Sequence, residues 1–249
     1  MKFLLTAINA KFIHSNPAIY SLRAGVGEKL QPYVELAEFT INESLESILE
    51  GIWKRQPKVI GFSCYIWNWK LIRELLIELP KILPDTEIWL GGPEVTYDGP
   101  GLLREFPQVT GIMVGEGEVT FREVLGQYVR EAESTGQSEQ QPEPDSIEQQ
   151  AADRTGTVAG KSVAERFGQI PGLCLAFGYT ASRELTDLTT LPFLYEDMEP
   201  FTNRIIYYET SRGCPYRCSY CLSSIDKKVR LRDIDVVKRE LQFFLDQNV

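Results

Sequence analysis

Three cysteines, Cys214, Cys218 and Cys221, fall in the run Thr210-Ser211-Arg212-Gly213-Cys214-Pro215-Tyr216-Arg217-Cys218-Ser219-Tyr220-Cys221. The spacing C-x3-C-x2-C puts three soft sulfur donors on one loop, directly after a β-rich run at residues 205–208. Iron–sulfur clusters take anionic sulfur ligands, and a cubane normally takes four cysteines. Three from one loop leave one iron without a protein ligand, and an open position is where a metal site does chemistry. Zinc is the other chemistry compatible with this loop, but a structural zinc site wants four ligands. Only His14, Cys64 and Cys174 remain as candidates, all far away in sequence. Arg212 and Arg217 flank the cysteines and would favour thiolate over thiol.

The chain has 5 cysteines, an odd number with three clustered, which is not the spaced pairing of a disulfide framework. A reducing compartment and a metal or redox role fit that usage better. Of its 249 residues, 43% are hydrophobic, enough for a sizeable core. Long apolar runs of transmembrane length are absent from the sequence. The apolar start at residues 1–8 carries one Lys and gives way to Asn9, so it reads as a buried strand rather than a signal peptide. A cytoplasmic protein is expected, without a membrane partner. A net charge of −9 argues against general nucleic-acid binding, which needs basic surface. The local basic stretch at residues 227–232 reads as a solvated loop and helix start.

Behind the cysteines stands a repeating pattern of elements. Strands are expected at residues 2–8, 33–39, 58–63, 87–90 and 111–114. The third is apolar throughout its centre, as expected when both faces of a sheet are covered. Asn16-Pro17 is a helix-start signal, followed by Ile19, Leu22, Val26 and Leu30 at helical spacing. Leu45, Ile48, Leu49 and Ile52 stripe a second helix, and a third over residues 71–79 is expected to end at Pro80. Phe121, Val124, Leu125, Tyr128 and Val129 mark the last. Such β/α alternation describes an open, doubly wound, five-stranded parallel sheet over residues 1–130. Ligands of these sheets bind outside the carboxyl ends of the strands, here residues 9–15, 63–69, 91–97 and 115–120.

Residues 131–166 are rich in Glu, Gln, Ser, Thr, Gly and Ala and lack aromatics, so they read as a disordered linker. A strand at 170–176 and an irregular connector at 185–200 follow, the whole of 167–203 reading as connector. A strand at 205–208 and a helix at 234–245 complete the chain. Cys64 and Cys174 read as small buried hydrophobes.

The cysteine spacing, with an aromatic before the last cysteine, resembles the signature of radical S-adenosylmethionine enzymes. The resemblance implies that Cys214, Cys218 and Cys221 hold a [4Fe–4S] cluster, that S-adenosylmethionine chelates the fourth iron, and that Tyr220 sits against the adenine. A five-stranded domain ahead of that loop is similar to the cobalamin-binding, flavodoxin-like domain of the cobalamin-dependent subgroup. The supporting stretches are Asn9-Ala10-Lys11-Phe12-Ile13-His14-Ser15, Gly91-Gly92-Pro93-Glu94-Val95-Thr96 and Gly115-Glu116-Gly117-Glu118. Asn9, Lys11, His14, Ser15, Gly91, Gly92, Pro93, Glu94, Thr96, Gly115, Glu116, Gly117 and Glu118 are therefore candidate cobalamin contacts. Ser63 matches a position that in this subgroup hydrogen-bonds the nucleotide tail. His14 does not sit in the Asp-x-His-x-x-Gly pattern of cobalt-ligating domains and reads as a polar loop residue near the corrin or as a cobalt ligand. Trp67 and Trp69 read as corrin walls or as core.

The same resemblance implies methyl transfer to an unactivated centre and an electron donor such as flavodoxin or ferredoxin. The family's radical domain is a partial barrel of about six β/α units, of which residues 204–249 supply the first. The chain is accordingly expected to be the front part of a longer enzyme, inactive alone. The alternative is a non-catalytic corrinoid-binding module, or a split subunit that needs another chain to complete the barrel.

Overall fold

The computed structural model describes residues 1–136, 161–195, 197–216, 218–221 and 228–249. Five parallel strands form the body of one sheet: β1 (Phe3–Asn9), β2 (Val34–Thr40), β3 (Val59–Ser63), β4 (Glu87–Gly91) and β5 (Val109–Met113). Their order is β2-β1-β3-β4-β5, a doubly wound parallel sheet as the alternating pattern predicts, in the flavodoxin-like order that the family resemblance implies. Two short antiparallel strands, β6 (Leu173–Leu175) and β7 (Gly178–Tyr179), extend it beyond β5.

The winding follows from how the strands divide their side chains. Along β1, Leu4 and Ile8 enter one core while Phe3, Leu5 and Ala7 enter the other. Along β4, Ile88 and Leu90 alternate with Trp89 in the same way. Helices α2 (Leu45–Trp53), α3 (Trp69–Ile82) and α4 (Gly99–Glu105) contribute to the first core. Helices α1 (Pro17–Gly25), α5 (Gly117–Gly136) and α6 (Val163–Phe167) contribute to the second. A strand buried on both faces needs apolar residues at consecutive positions, which is what β1 supplies.

Several elements differ from the sequence expectation. Helix α3 runs through Pro80 to Ile82. Proline cannot donate to the carbonyl four residues back, but that carbonyl, Leu76 O, accepts from Gln108 Nε2 at 2.7 Å. Helix α4 escapes notice because Gly99-Pro100-Gly101 has poor helix propensity; Asp98 starts it by accepting from Gly101 N at 3.2 Å. Residues 131–136 continue α5, and α6 begins behind a Ser162–Glu165 capping box, so both edges of the expected linker are helical. Residues 137–160, the rest of that linker, lie outside the described residues.

The expected strand at 205–208 is not formed. Ile205 makes a single parallel bridge with His14, its N–H donating to Ile13 O at 2.8 Å, because β1 has already ended at Asn9. A separate two-stranded ladder, β8 (Ser211–Arg212) with β9 (Arg230–Leu231), brackets the cysteine loop. Helix α7 (Ile234–Asp246) follows and packs Phe244 against Tyr195 and Phe201. Among the described residues no helix is long and apolar enough to cross a membrane.

Candidate functional site

A cavity of about 620 Å³ opens at the carboxyl edge of the parallel sheet, within the size range of small-molecule sites. Its floor runs down the face covered by α1 and α5, over Leu5, Gly61, Trp89 and Met113 on four neighbouring strands. Gly61 leaves room there, since a Cβ would already meet Phe3 and Leu5 at 3.1 and 3.3 Å. Ser63, Gly91, Gly92, Pro93, Thr96 and residues 115–118 form its rim, as the strand ends predict.

Local hydrogen bonds shape that rim. Asn68, fully buried, donates to Ile8 O at 3.0 Å and Ser63 O at 2.9 Å and accepts from Tyr65 N at 2.8 Å. It thereby ties the ends of β1 and β3 together. Gly92 has φ +108°, and a Cβ there would stand 2.4 Å from Cys64 O. The glycine is thus required by the chain's own backbone before any ligand arrives. Thr96 Oγ1 closes the turn by donating to Gly92 O at 2.9 Å. Gly115, at φ +79°, turns the chain into α5.

Glu116 and Glu118 face inward rather than standing free. Arg212 donates to Glu118 Oε1 at 2.6 Å, and Ser21 Oγ donates to the same oxygen at 2.9 Å. Arg230 pairs with Glu116, which also accepts from Thr186 N at 2.7 Å. Burial alone would raise both carboxyls, but the arginines and the added hydrogen bonds outweigh it and hold both below the usual carboxylate value. Arg212 also meets Glu209 at 2.9 Å, so its charge is engaged by carboxylates and not offered freely to the cysteines.

The loop after β1 does other work than expected. Asn9 donates to His14 O at 2.9 Å and to Glu38 Oε1 at 2.8 Å. Glu38 also accepts from Asn16 N at 3.0 Å and from Tyr20 Oη at 2.7 Å, and it pairs with Arg204. Ser15 donates to Ile205 O at 3.2 Å, and His14 Nδ1 meets Tyr207 Oη. Asn9, His14 and Ser15 therefore help seat the 204–207 segment, and neither they nor exposed Lys11 and Glu94 line the cavity. Trp67 stacks on Tyr65 with centroids 4.4 Å apart, and Trp69 packs edge-on to Phe106. Of these rings only Tyr65 reaches the cavity.

Residues that sequence reasoning missed close the cavity from above. Leu188 and residues 191–195 lie across it, with Tyr207, Tyr208 and Arg232. This stretch has no periodicity to betray it. It is held by long-range contacts: Arg232 donates to Leu191 O at 2.6 Å and to Glu240 at 2.7 Å, and Tyr195 donates to Tyr207 O. The basic stretch of 227–232 is thus partly consumed in ion pairs; Lys227 lies outside the described residues.

Cys214 and Cys218 are half-buried, Cys221 is exposed, and no disulfide joins them. Cys221 N donates to Cys218 O at 3.0 Å, a tight turn within the loop. Tyr220 is 90% exposed. Arg217 and residues 222–227 lie outside the described residues, and among the described ones no three His, Cys, Asp or Glu side chains gather as a metal centre. Cys64 and Cys174 are buried in the first core, where burial pushes both thiols up, far from a ligand's role.

Residues 4–125 match the B12 binding domain family, a span that contains the parallel sheet from the second residue of β1 onward and the rim of the cavity. This unit is a cobalamin-binding module of flavodoxin-like fold. A larger share of the chain is similar to 2-(S-pantetheinyl)-carbapenam-3-carboxylate methyltransferase of Streptantibioticus cattleyicolor, 27% identical over 226 residues, covering 83% of this chain and 28% of that protein. It is also similar to the cobalamin-dependent radical SAM methyltransferase TokK of Streptomyces tokunonensis, 30% identical over 177 residues, covering 67% of this chain and 22% of TokK. The fold matches that of the cobalamin-dependent S-adenosylmethionine radical enzyme OxsB, solved with aqua-cobalamin and S-adenosylmethionine bound. That match has a TM-score of 0.65 and 16% identity over 96% of this chain and 31% of OxsB. Residues 4–125 thus belong to the B12 binding domain family, and the longer chain is similar to the N-terminal portion of cobalamin-dependent radical S-adenosylmethionine enzymes. It spans less than a third of either curated relative.

Proposed function

We propose that this chain is the N-terminal part of a cobalamin-dependent radical S-adenosylmethionine enzyme that transfers a methyl group to an unactivated centre. The observation that carries this reading is adjacency: Arg212, two residues before Cys214, lines the cavity at the edge of the B12-binding domain. The residues present fit both groups. The cavity is largely apolar and rimmed by glycines, and three cysteines on one loop match the donor set of a cluster with one open iron. Together the bound corrin, cluster and S-adenosylmethionine supply methyl-transfer and radical chemistry.

The chain's own residues bind and orient. Ser63 offers a hydroxyl at the rim of the slot to the nucleotide tail, Ser21 holds Glu118 beside it, and Gly61 keeps the slot open. Residues 191–195 lie over the mouth and exclude water from it. Cys214, Cys218 and Cys221 hold the cluster, and exposed Tyr220 is free to meet the adenine. The electron comes from a flavodoxin- or ferredoxin-type donor. A second reading is a non-catalytic corrinoid-binding module, or a split subunit that another chain completes, favoured by the family match over residues 4–125, ahead of the cysteine loop.

Anaerobic reconstitution with iron and sulfide decides between them. The expected result is about four iron per chain, lost in Cys218→Ala, together with hydroxocobalamin binding. Corrin binding without iron would leave the module reading. No cluster in the wild type, or full retention in Cys218→Ala, overturns the family's cluster role for this loop.

A further inference from the structure

The ladder that brackets the cysteine loop is built in a way that cannot hold itself. Each strand has two residues, and Arg212 and Arg230 are register partners, so two cations face each other. Like charges directly opposite destabilise a strand pair, and a two-stranded hairpin is marginal even without them. The turn out of β8 adds a further demand: Gly213 has φ +95°, and a Cβ there would stand 2.2 Å from Lys228 O. The two chains are therefore pressed together just before Cys214, at a spot where nothing in the ladder itself favours it.

What offsets this comes from the other end of the fold. Glu118 takes Arg212 at 2.6 Å, Glu116 takes Arg230, and Glu116 also lies 3.5 Å from Arg212. All four side chains are largely buried, between 7% and 19% exposed, so the pairs are weakly screened. Ser21 of α1 fixes Glu118, and Thr186 N fixes Glu116. Ser21, Glu116, Glu118 and Arg212 all line the cavity, whereas Arg230 lies behind it.

We infer that Glu116, Glu118, Arg212 and Arg230 form a positioning clasp through which filling of the corrin cavity fixes the base of the cysteine loop. This rests on the cavity being the corrin site. A ligand packed against Ser21, Glu116 and Glu118 restricts the carboxylates that neutralise the two arginines, and the ladder tightens in turn. Linkage makes the effect reciprocal: a loop held firmly strengthens corrin binding by the same factor that corrin strengthens the loop. The four residues touch no reacting atom; they set where the cysteines stand relative to the corrin edge.

Hydrogen exchange on residues 1–249, with and without hydroxocobalamin, reads this directly. The expected result is roughly tenfold slower exchange of amides 211–213 and 230–232 on corrin binding, with amides of α2 and α3 on the opposite face unchanged. Arg230→Met should abolish that protection and weaken corrin binding by a similar factor, measured by absorbance titration. Arg230→Lys, which keeps the charge, should restore part of both. A purely structural arginine would lower stability without changing the corrin-dependent difference. Corrin binding with no protection of the ladder overturns the clasp and leaves the cavity reading intact. Absence of corrin binding overturns both the cavity reading and the coupling inferred from it.

Discussion

The Cα of Gly92 lies so close to Cys64 that a Cβ on it would stand 2.4 Å from the Cys64 carbonyl oxygen and 3.0 Å from its nitrogen. Both atoms are backbone and cannot swing aside. With φ at +108°, a side chain at this position meets a steric and a conformational penalty together.

Gly92→Val is therefore expected to destabilise the fold by on the order of 3 kcal/mol, not merely to block a ligand. Gly115 supplies the contrast, because its φ is +79° but a Cβ would meet nothing within 4 Å. Gly115→Ala should cost only about 1 kcal/mol. Urea unfolding of both variants checks this. Equal losses would show that the approach to Cys64 is not what the glycine serves.

Arg166, on α6, anchors that helix against the sheet. Its side chain is fully buried and reaches Glu87 and Glu131 at 2.9 Å each. Tyr128 donates to Glu87 at 2.7 Å and accepts from Trp89 Nε1 at 2.8 Å, so the charges sit in a satisfied network. Arg166→Met leaves two partly buried carboxylates without their cation and should cost about 3–5 kcal/mol. Arg166→Met combined with Glu87→Gln should cost less than the two single losses added. Additive losses in a double-mutant cycle would rule the network out.

Much of this was legible in the sequence. Consecutive apolar residues in β1 and β3 announced a sheet covered on both faces, and the glycine turns after β4 and β5 fell on the cavity rim. The contacts of the loop after β1 were not legible, because Asn9 and Ser15 turn toward Glu38 and residue 205, partners that only the fold brings near. The roof at 191–195 was unreadable for the same reason: it has no period of its own and is held by Arg232 and Tyr207. The antiparallel β6 and β7 are too short to show alternation.

The depressed carboxyls of Glu116 and Glu118 give the clasp a pH dependence of definite sign. Their folded-state values lie below the ordinary 4.5. The stability they contribute is then fully present above 4.5 and is lost as pH falls through the lowered values. Urea midpoints should stay flat in this respect from pH 7 to 5 and drop below 4.5, with a shallower drop in Glu118→Gln. A variant that follows the wild-type acid curve would remove Glu118 from the account.

Leu22 offers the most direct test of the cavity. It sits on α1 and lines the slot, and a Cβ on Gly117 would stand 2.9 Å from its Cδ2, so the side chain already marks the narrow part. Leu22→Trp should fill that part and weaken hydroxocobalamin binding by at least roughly tenfold, about 1.4 kcal/mol. Its cost in stability should be modest, because an open cavity can take the added volume that a packed core cannot. Ser63→Leu, at the end of β3, blocks the slot from the rim without touching α1 and should act in the same direction. Ile77→Trp, on the exposed side of α3 away from the cavity, serves as the control. Undiminished corrin affinity in both Leu22→Trp and Ser63→Leu, with their folds intact, would place the ligand somewhere other than this slot.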